Sequence, residues 1–154
     1  MNMMSGPDDP NRARKEWLGL LAKSPAADVA RLWAALDLTP AHDVLRTPEI
    51  GGVMVRGRAG AVGAAFNLGE MTLTRASVRL ACGTVGHGYV QGRDREHAVQ
   101  VALLDALMQT AAAGRIEAGV LAPLRAAMAG RKRSRAAKSA ATKVEFFTMV
   151  RGED

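Results

Sequence analysis

Arg75, Ser77 and Arg79 occupy alternate positions of the segment TLTRASVRL, residues 72–80. In an extended strand, a period of two puts all three side chains on one face. Two guanidinium forks beside a hydroxyl suit a phosphate group or contact with another chain. Cys82-Gly83 separates this run from a second alternating run and reads as a two-residue hairpin turn. That turn pairs Leu80 with Val85, Arg79 with Gly86, Val78 with His87 and Ser77 with Gly88. Val78, Leu80, Val85 and His87 then form the core face. Gly86 and Gly88 leave room beside the arginines for a phosphate or another chain to approach. The competing reading is a solvated arginine face on a half-buried sheet, and a slip of one residue would exchange the two faces.

Arg93 and His97 follow in GYVQGRDREHA. Asp94 suits the N-cap of a helix starting at Arg95, and Glu96 suits its first turn. The glycines of GHGYVQG resemble a phosphate-cradling loop at a helix start, but their spacing matches neither the dinucleotide fingerprint nor the P-loop. Asp94 and Glu96 would also repel a phosphate. His97 is expected to be structural, as a satisfied or capping histidine, ahead of a catalytic role. His42, His87 and Cys82 add no metal-ligand spacing, so no metal is expected. No nucleophile with a neighbouring base and no paired carboxylates stand in a recognisable motif. The residues describe a subunit or binding domain better than a self-sufficient enzyme.

The elements that would hold these groups give an α+β order: an N-terminal helical hairpin, an antiparallel sheet with a central hairpin, a core helix, C-terminal helices and a final strand. Asp9-Pro10 starts the first helix, with Trp17, Leu18 and Leu21 on its apolar face. Ser24-Pro25 repeats the start signal, and Val29, Leu32, Trp33 and Leu36 fall at i, i+3, i+4, i+7. A short strand is expected around Val44 between Thr39-Pro40 and Thr47-Pro48, and a separate one over Val53 to Arg58. Glycines 60, 63 and 69 mark turns or a loop. The helix through LLDALMQ is apolar nearly all round, so it should be the core helix, partly covered by another subunit. Asp105 inside it needs a cation, for which Arg79 and Arg93 are candidates. Arg115 to Met128 reads as a helix interrupted by Gly119 and Pro123. VEFFTMV closes the chain as a strand, with Phe146, Phe147 and Met149 as interface candidates.

At 154 residues the chain is read as one domain over 1–154, with a flexible stretch over 1–9. No apolar run approaches the roughly 18 residues of a bilayer span, and the N-terminal segment lacks the apolar core of a secretory signal. A lone cysteine forms no internal disulfide. The cytoplasm is the expected compartment. The net charge is +6, but residues 131–143 hold six basic side chains and no acid, so the remainder balances 15 against 15. That run is a solvated helix end, a tail for an acidic partner, or a phosphate contact of a basic nucleic-acid-binding protein. No aromatic is interleaved with it to stack on bases.

Five strings carry a resemblance: TLTRASVRL, GYVQGRD followed by His97-Ala98, LLDALMQ, Ala122-Pro123-Leu124, and FFTMVRG near the end. In this order the chain resembles the PhnG family of the bacterial carbon–phosphorus lyase machinery, over roughly its last three-fifths. The N-terminal helices fit more loosely, and the basic segment departs from the pattern. The resemblance implies a small accessory, non-catalytic or co-catalytic subunit of a transferase complex with PhnI, PhnH and PhnJ, joined by ATP-binding-cassette proteins. PhnI is the expected direct partner. The implied reaction displaces the adenine of ATP by methylphosphonate and yields alpha-D-ribose 1-methylphosphonate 5-triphosphate in phosphonate catabolism. Nucleosidase-type chemistry is attributed to PhnI, and later carbon–phosphorus cleavage to the radical S-adenosylmethionine subunit PhnJ. ATP is then a substrate of the complex, and the chain by itself holds no cofactor. Within this frame Arg75, Ser77, Arg79, Arg93, His97 and Arg151 are the candidate phosphate or subunit contacts.

Overall fold

The computed structural model describes residues 11–60 and 62–142. Its elements run α1 (Arg12–Lys23), α2 (Ala26–Ala35), β1 (His42–Arg58), β2 (Ala65–Leu80), β3 (Val85–Gln91), α3 (Arg95–Leu107), α4 (Ala113–Ile116), a π-helical turn (Glu117–Leu121) and α5 (Ala122–Ala141). The α+β class holds. Asp9 and Pro10, the terminal strand with Phe146, Phe147 and Met149, and Arg151 lie outside the described residues.

The first two helices form where the apolar spacing puts them. Leu20, Leu21, Val29, Leu32 and Leu36 are buried, and Trp17, Leu18 and Trp33 pack on the same core. Ser24 serves the end of α1 rather than the start of α2: its hydroxyl donates to the Leu20 carbonyl at 2.8 Å. Both helices pack against α3, which is their common floor.

The sheet is antiparallel in the order β1-β2-β3. The two strands expected over residues 42–58 are one strand of 17 residues. Thr47-Pro48 does not break it, because β1 is an edge strand among the described residues and Pro48 falls at an irregularity in the pairing, between Arg46 and Glu49. Gly69 belongs to another such irregularity, opposite Val55, and Gly60 alone of the other two glycines has a left-handed backbone.

The hairpin turn also differs from expectation. The Leu80 amide donates to the Thr84 carbonyl, and the Gly83 amide to Leu80. The loop is therefore Ala81-Cys82-Gly83, with Gly83 at φ 89° supplying the left-handed residue that three-residue loops require. The register moves by one: Arg79 faces Val85, Val78 faces Gly86, Ser77 faces His87 and Ala76 faces Gly88. His87 thereby leaves the core face and joins the arginines. The glycines turn instead to α3, where a Cβ at Gly88 would stand 1.9 Å from the Ala98 carbonyl oxygen and one at Gly86 would stand 2.0 Å from that of Ala102. They bring the strand onto the helix rather than opening a path to the sheet.

Helix α3 is the core helix, with ten of its residues buried. Asp105 within it is fully buried, but its cation is neither Arg79 nor Arg93. Arg14 of α1 grips both carboxylate oxygens, at 3.1 Å and 2.6 Å. The Trp17 indole donates to the same carboxylate at 2.9 Å, and so does the His87 amide. Arg79 and Arg93 point elsewhere because their faces of β2 and of the β3–α3 loop do not meet the middle of α3. After α3, the expected interruption at Gly119 and Pro123 is a π turn in an otherwise continuous helix. Pro123 has no amide to give, and the Ala122 amide reaches back five residues to Glu117. The helix then runs on through the described part of the basic segment, where Arg131 lies 3.5 Å from Asp28.

Replacing Asp105 with alanine leaves Arg14, Trp17 and the His87 amide without their acceptor and should cost about 3 kcal/mol in urea unfolding. Gly88→Ala should be at least as damaging. Gly52→Ala, where a Cβ would meet nothing nearer than 3.7 Å, should change stability by less than about 0.5 kcal/mol.

Candidate functional site

Two recesses carry the expected residues, and Tyr89 lines both. The first lies on the sheet face opposite α3. Strand alternation keeps Arg75, Ser77 and Arg79 together, and the observed register adds His87 from β3 and Arg46 from β1. Ser77 Oγ and His87 Nδ1 share a hydrogen bond of 2.9 Å. Arg46, Arg75, Ser77, His87 and Tyr89 line a shallow recess of about 180 Å³.

The arginines are already paired. Glu49 accepts from Arg75 at 2.6 Å and from Arg46 at 3.1 Å, while Arg79 donates to Asp43 at 3.0 Å. The Arg75 hydrogen bond, followed by the charges of Arg75 and Arg46, holds the Glu49 carboxyl below its ordinary range. These pairs are exposed, so each is worth little and exchanges readily. An incoming phosphonate or a partner carboxylate would bind Arg75 and Arg46 by displacing Glu49, with the Ser77–His87 pair as a further polar contact. Such a hydroxyl–imidazole bond is also the elementary form of an activated nucleophile. His87, Arg46 and Glu49 were missed in the sequence: His87 through the one-residue register, the other two because β1 pairing is long range.

The second recess is a cleft of about 610 Å³ at the start of α3. Here the structure places Arg93 and His97, away from the first group. Asp94 caps the helix, accepting from the His97 amide at 2.9 Å. The capping therefore uses the backbone of His97 and leaves its ring to be accounted for. The residue is 5% exposed, and its Nε2 is buried with no hydrogen-bond partner. Burial pushes the imidazole below its ordinary pKa. The Leu21 carbonyl and the charge of Asp94 pull the other way without restoring it.

Among the described residues no group of three or more His, Cys, Asp or Glu side chains could hold a metal ion, and no helix is long and apolar enough to cross a membrane.

Two outcomes follow from this geometry. Glu49→Gln should free Arg75 and Arg46 and tighten the binding of added inorganic phosphate about two- to fivefold, read from amide shifts of Ser77 and His87 in an NMR titration. Because His97 takes up protons less readily folded than unfolded, the fold keeps its full stability above about pH 6.5 and loses some as pH falls below that value. His97→Gln should flatten this part of the melting-temperature profile.

The family described as "Phosphonate metabolism protein PhnG" matches residues 12–152. The chain is also similar to the protein named "Alpha-D-ribose 1-methylphosphonate 5-triphosphate synthase subunit PhnG" of Rhizobium meliloti (strain 1021). The two are 44% identical over 141 residues, which cover 92% of this chain and 90% of the relative. The match takes in the loosely fitting N-terminal helices as well as the strings of the sheet and core helix, and on that extent the chain belongs to the PhnG family of phosphonate metabolism proteins.

Proposed function

We propose that this chain is an accessory subunit of the complex that forms alpha-D-ribose 1-methylphosphonate 5-triphosphate from ATP and methylphosphonate, displacing adenine. The observation that carries this reading is the 44% identity, over nearly the full length of both chains, to a relative named as a subunit of that synthase. PhnI is the direct partner in this proposal, with PhnH and PhnJ in the same assembly.

The surface supports membership of a larger assembly. Beyond the reach of β3, which pairs with β2 from Leu73 to Arg79, β1 and β2 continue as a two-stranded ribbon. Phe66 and Leu68, which share the Gly57 face of that ribbon, are about half exposed or more. A two-stranded ribbon is marginal on its own in water, and clustered exposed apolar side chains mark interaction surfaces. In the assembly the subunit's task is to shape the partner's site so that phosphonate rather than water attacks the ribose carbon, a redirection that exclusion of water provides.

Co-expression of the tagged chain with its PhnI, PhnH and PhnJ counterparts should yield a defined complex by native mass. A stable monomer that ignores all three would refute the subunit reading, as would conversion of ATP and methylphosphonate by the purified chain alone. Phe66→Glu combined with Leu68→Glu should abolish co-purification while leaving the far-ultraviolet circular dichroism unchanged. Arg75→Ala with Arg79→Ala separates two roles: synthase activity lost at least tenfold with the complex intact marks a phosphate contact, and loss of the complex marks a subunit contact.

A further inference from the structure

Helix α5 outruns the body it packs on. Its inward line begins with Leu124, which is buried, and Met128, which packs on the core. At helical spacing the same line continues as Arg131, Arg135 and Lys138, each three or four residues beyond the last. The packed face therefore does not end with the core; it changes chemistry from apolar to cationic. From Arg131 to Ala141 every residue is exposed, and no acid occurs between Glu117 and Glu145. Arg131 meets the Asp28 carboxylate of α2 at 3.5 Å, while Arg135 and Lys138 have no carboxylate among the described residues. Over the last turns the reverse side carries Ala136, Ala137, Ala140 and Ala141, which sustain the helix by propensity and offer a neighbour no large apolar side chain. Like cations one turn apart weaken an exposed helix, and a helix with nothing packed on it is marginal in water. This end gains order from whatever neutralises the line.

We propose that the end of α5 from Arg131 to Lys138 is a docking helix for an acidic protein surface, whose carboxylates take Arg135 and Lys138 as Asp28 takes Arg131. The inference rests on the reading above, that the chain is a subunit of a larger assembly, and it names a second contact of that subunit and its chemistry. Two observations choose a protein over a nucleic acid. The cations extend a line that already packs against folded protein, so the surface they meet stands beside α2 as a continuation of the same wall, and the one partner already in place is a carboxylate. The run also holds no Asn or Gln to read a base edge and no aromatic to stack on one. Arginine accepts a carboxylate with both arms of its fork, which fixes orientation as well as charge. Exposed ion pairs of this kind set the rate and direction of encounter more than the affinity. The apolar ribbon of β1 and β2 then supplies the burial, and the helix supplies the register.

The test uses the full chain co-expressed with the PhnI, PhnH and PhnJ counterparts, with recovery in the complex read by native mass. Arg135→Glu with Lys138→Glu should lower recovery about tenfold at about 0.1 M salt, and the gap to the wild type should narrow at about 0.5 M, where exposed charges are screened. Ala136→Glu, Ala137→Glu, Ala140→Glu and Ala141→Glu together change the net charge by the same amount on the reverse side and should leave recovery unchanged. Hydrogen exchange at the amides of residues 132–141 should slow about tenfold on assembly, as a marginal helix gains a neighbour. Equal loss in both variants would make net charge the cause and overturn the proposal, as would unchanged exchange. Retention of a fluorescent DNA duplex by the wild-type chain, lost in Arg135→Glu with Lys138→Glu while assembly is unaffected, would assign the line to nucleic acid and overturn it too. A wild-type complex that the Arg135→Glu, Lys138→Glu variant joins equally well refutes only this inference. A wild-type chain that forms no complex refutes the subunit reading, and this inference falls with it.

Discussion

A single buried carboxylate ties the molecule together. Asp105 sits on the middle of the core helix with no exposed surface, and a charge so placed is tolerable only with its hydrogen-bonding capacity filled. Arg14 and Trp17 reach it from α1, and the backbone of His87 reaches it from β3. Two elements, one of them from the far end of the sequence, are thus held to a side chain of a third. Because one of the donors is the His87 amide, the same bond fixes where β3 lies and so where the His87 ring meets Ser77. Core and candidate site share that constraint.

The second organising device is the absence of side chains. Gly86 and Gly88 let β3 settle onto α3 at a distance no alanine would allow. With those two positions facing inward, Val85, His87 and Tyr89 must face outward, and the outer surface of the sheet acquires an imidazole and a phenol beside its arginines. The polar face is therefore the complement of a packing requirement on the other side.

Much of this was legible from residue types. Helix α3 announces itself by the Asp94 cap and by apolar residues on all sides, and the need of Asp105 for a cation follows from burial alone. The identity of that cation was not legible, since Arg14 stands 91 residues away and nothing local marks it. The hairpin failed by one residue because Cys82-Gly83 satisfies a two-residue turn as well as the last two places of a three-residue one, and only pairing decides. Pro48 hid the continuity of β1 because a proline at an irregularity in an edge strand looks, in sequence, like a break. The row of Arg75, Ser77 and Arg79 survived the slip, since its members lie on one strand; its partners across the sheet did not.

The long ribbon of β1 and β2 has a consequence for the completeness of the fold. Among the described residues this 17-residue strand has a neighbour on one side only, and its other side offers a row of backbone groups to any strand it meets. Charged Arg46, Glu49, Arg56 and Arg58 and the irregularities around Pro48 blunt that invitation without removing it. A strand of this length left open is a template for strand-to-strand pairing, so the described fold is completed only by something laid along that side.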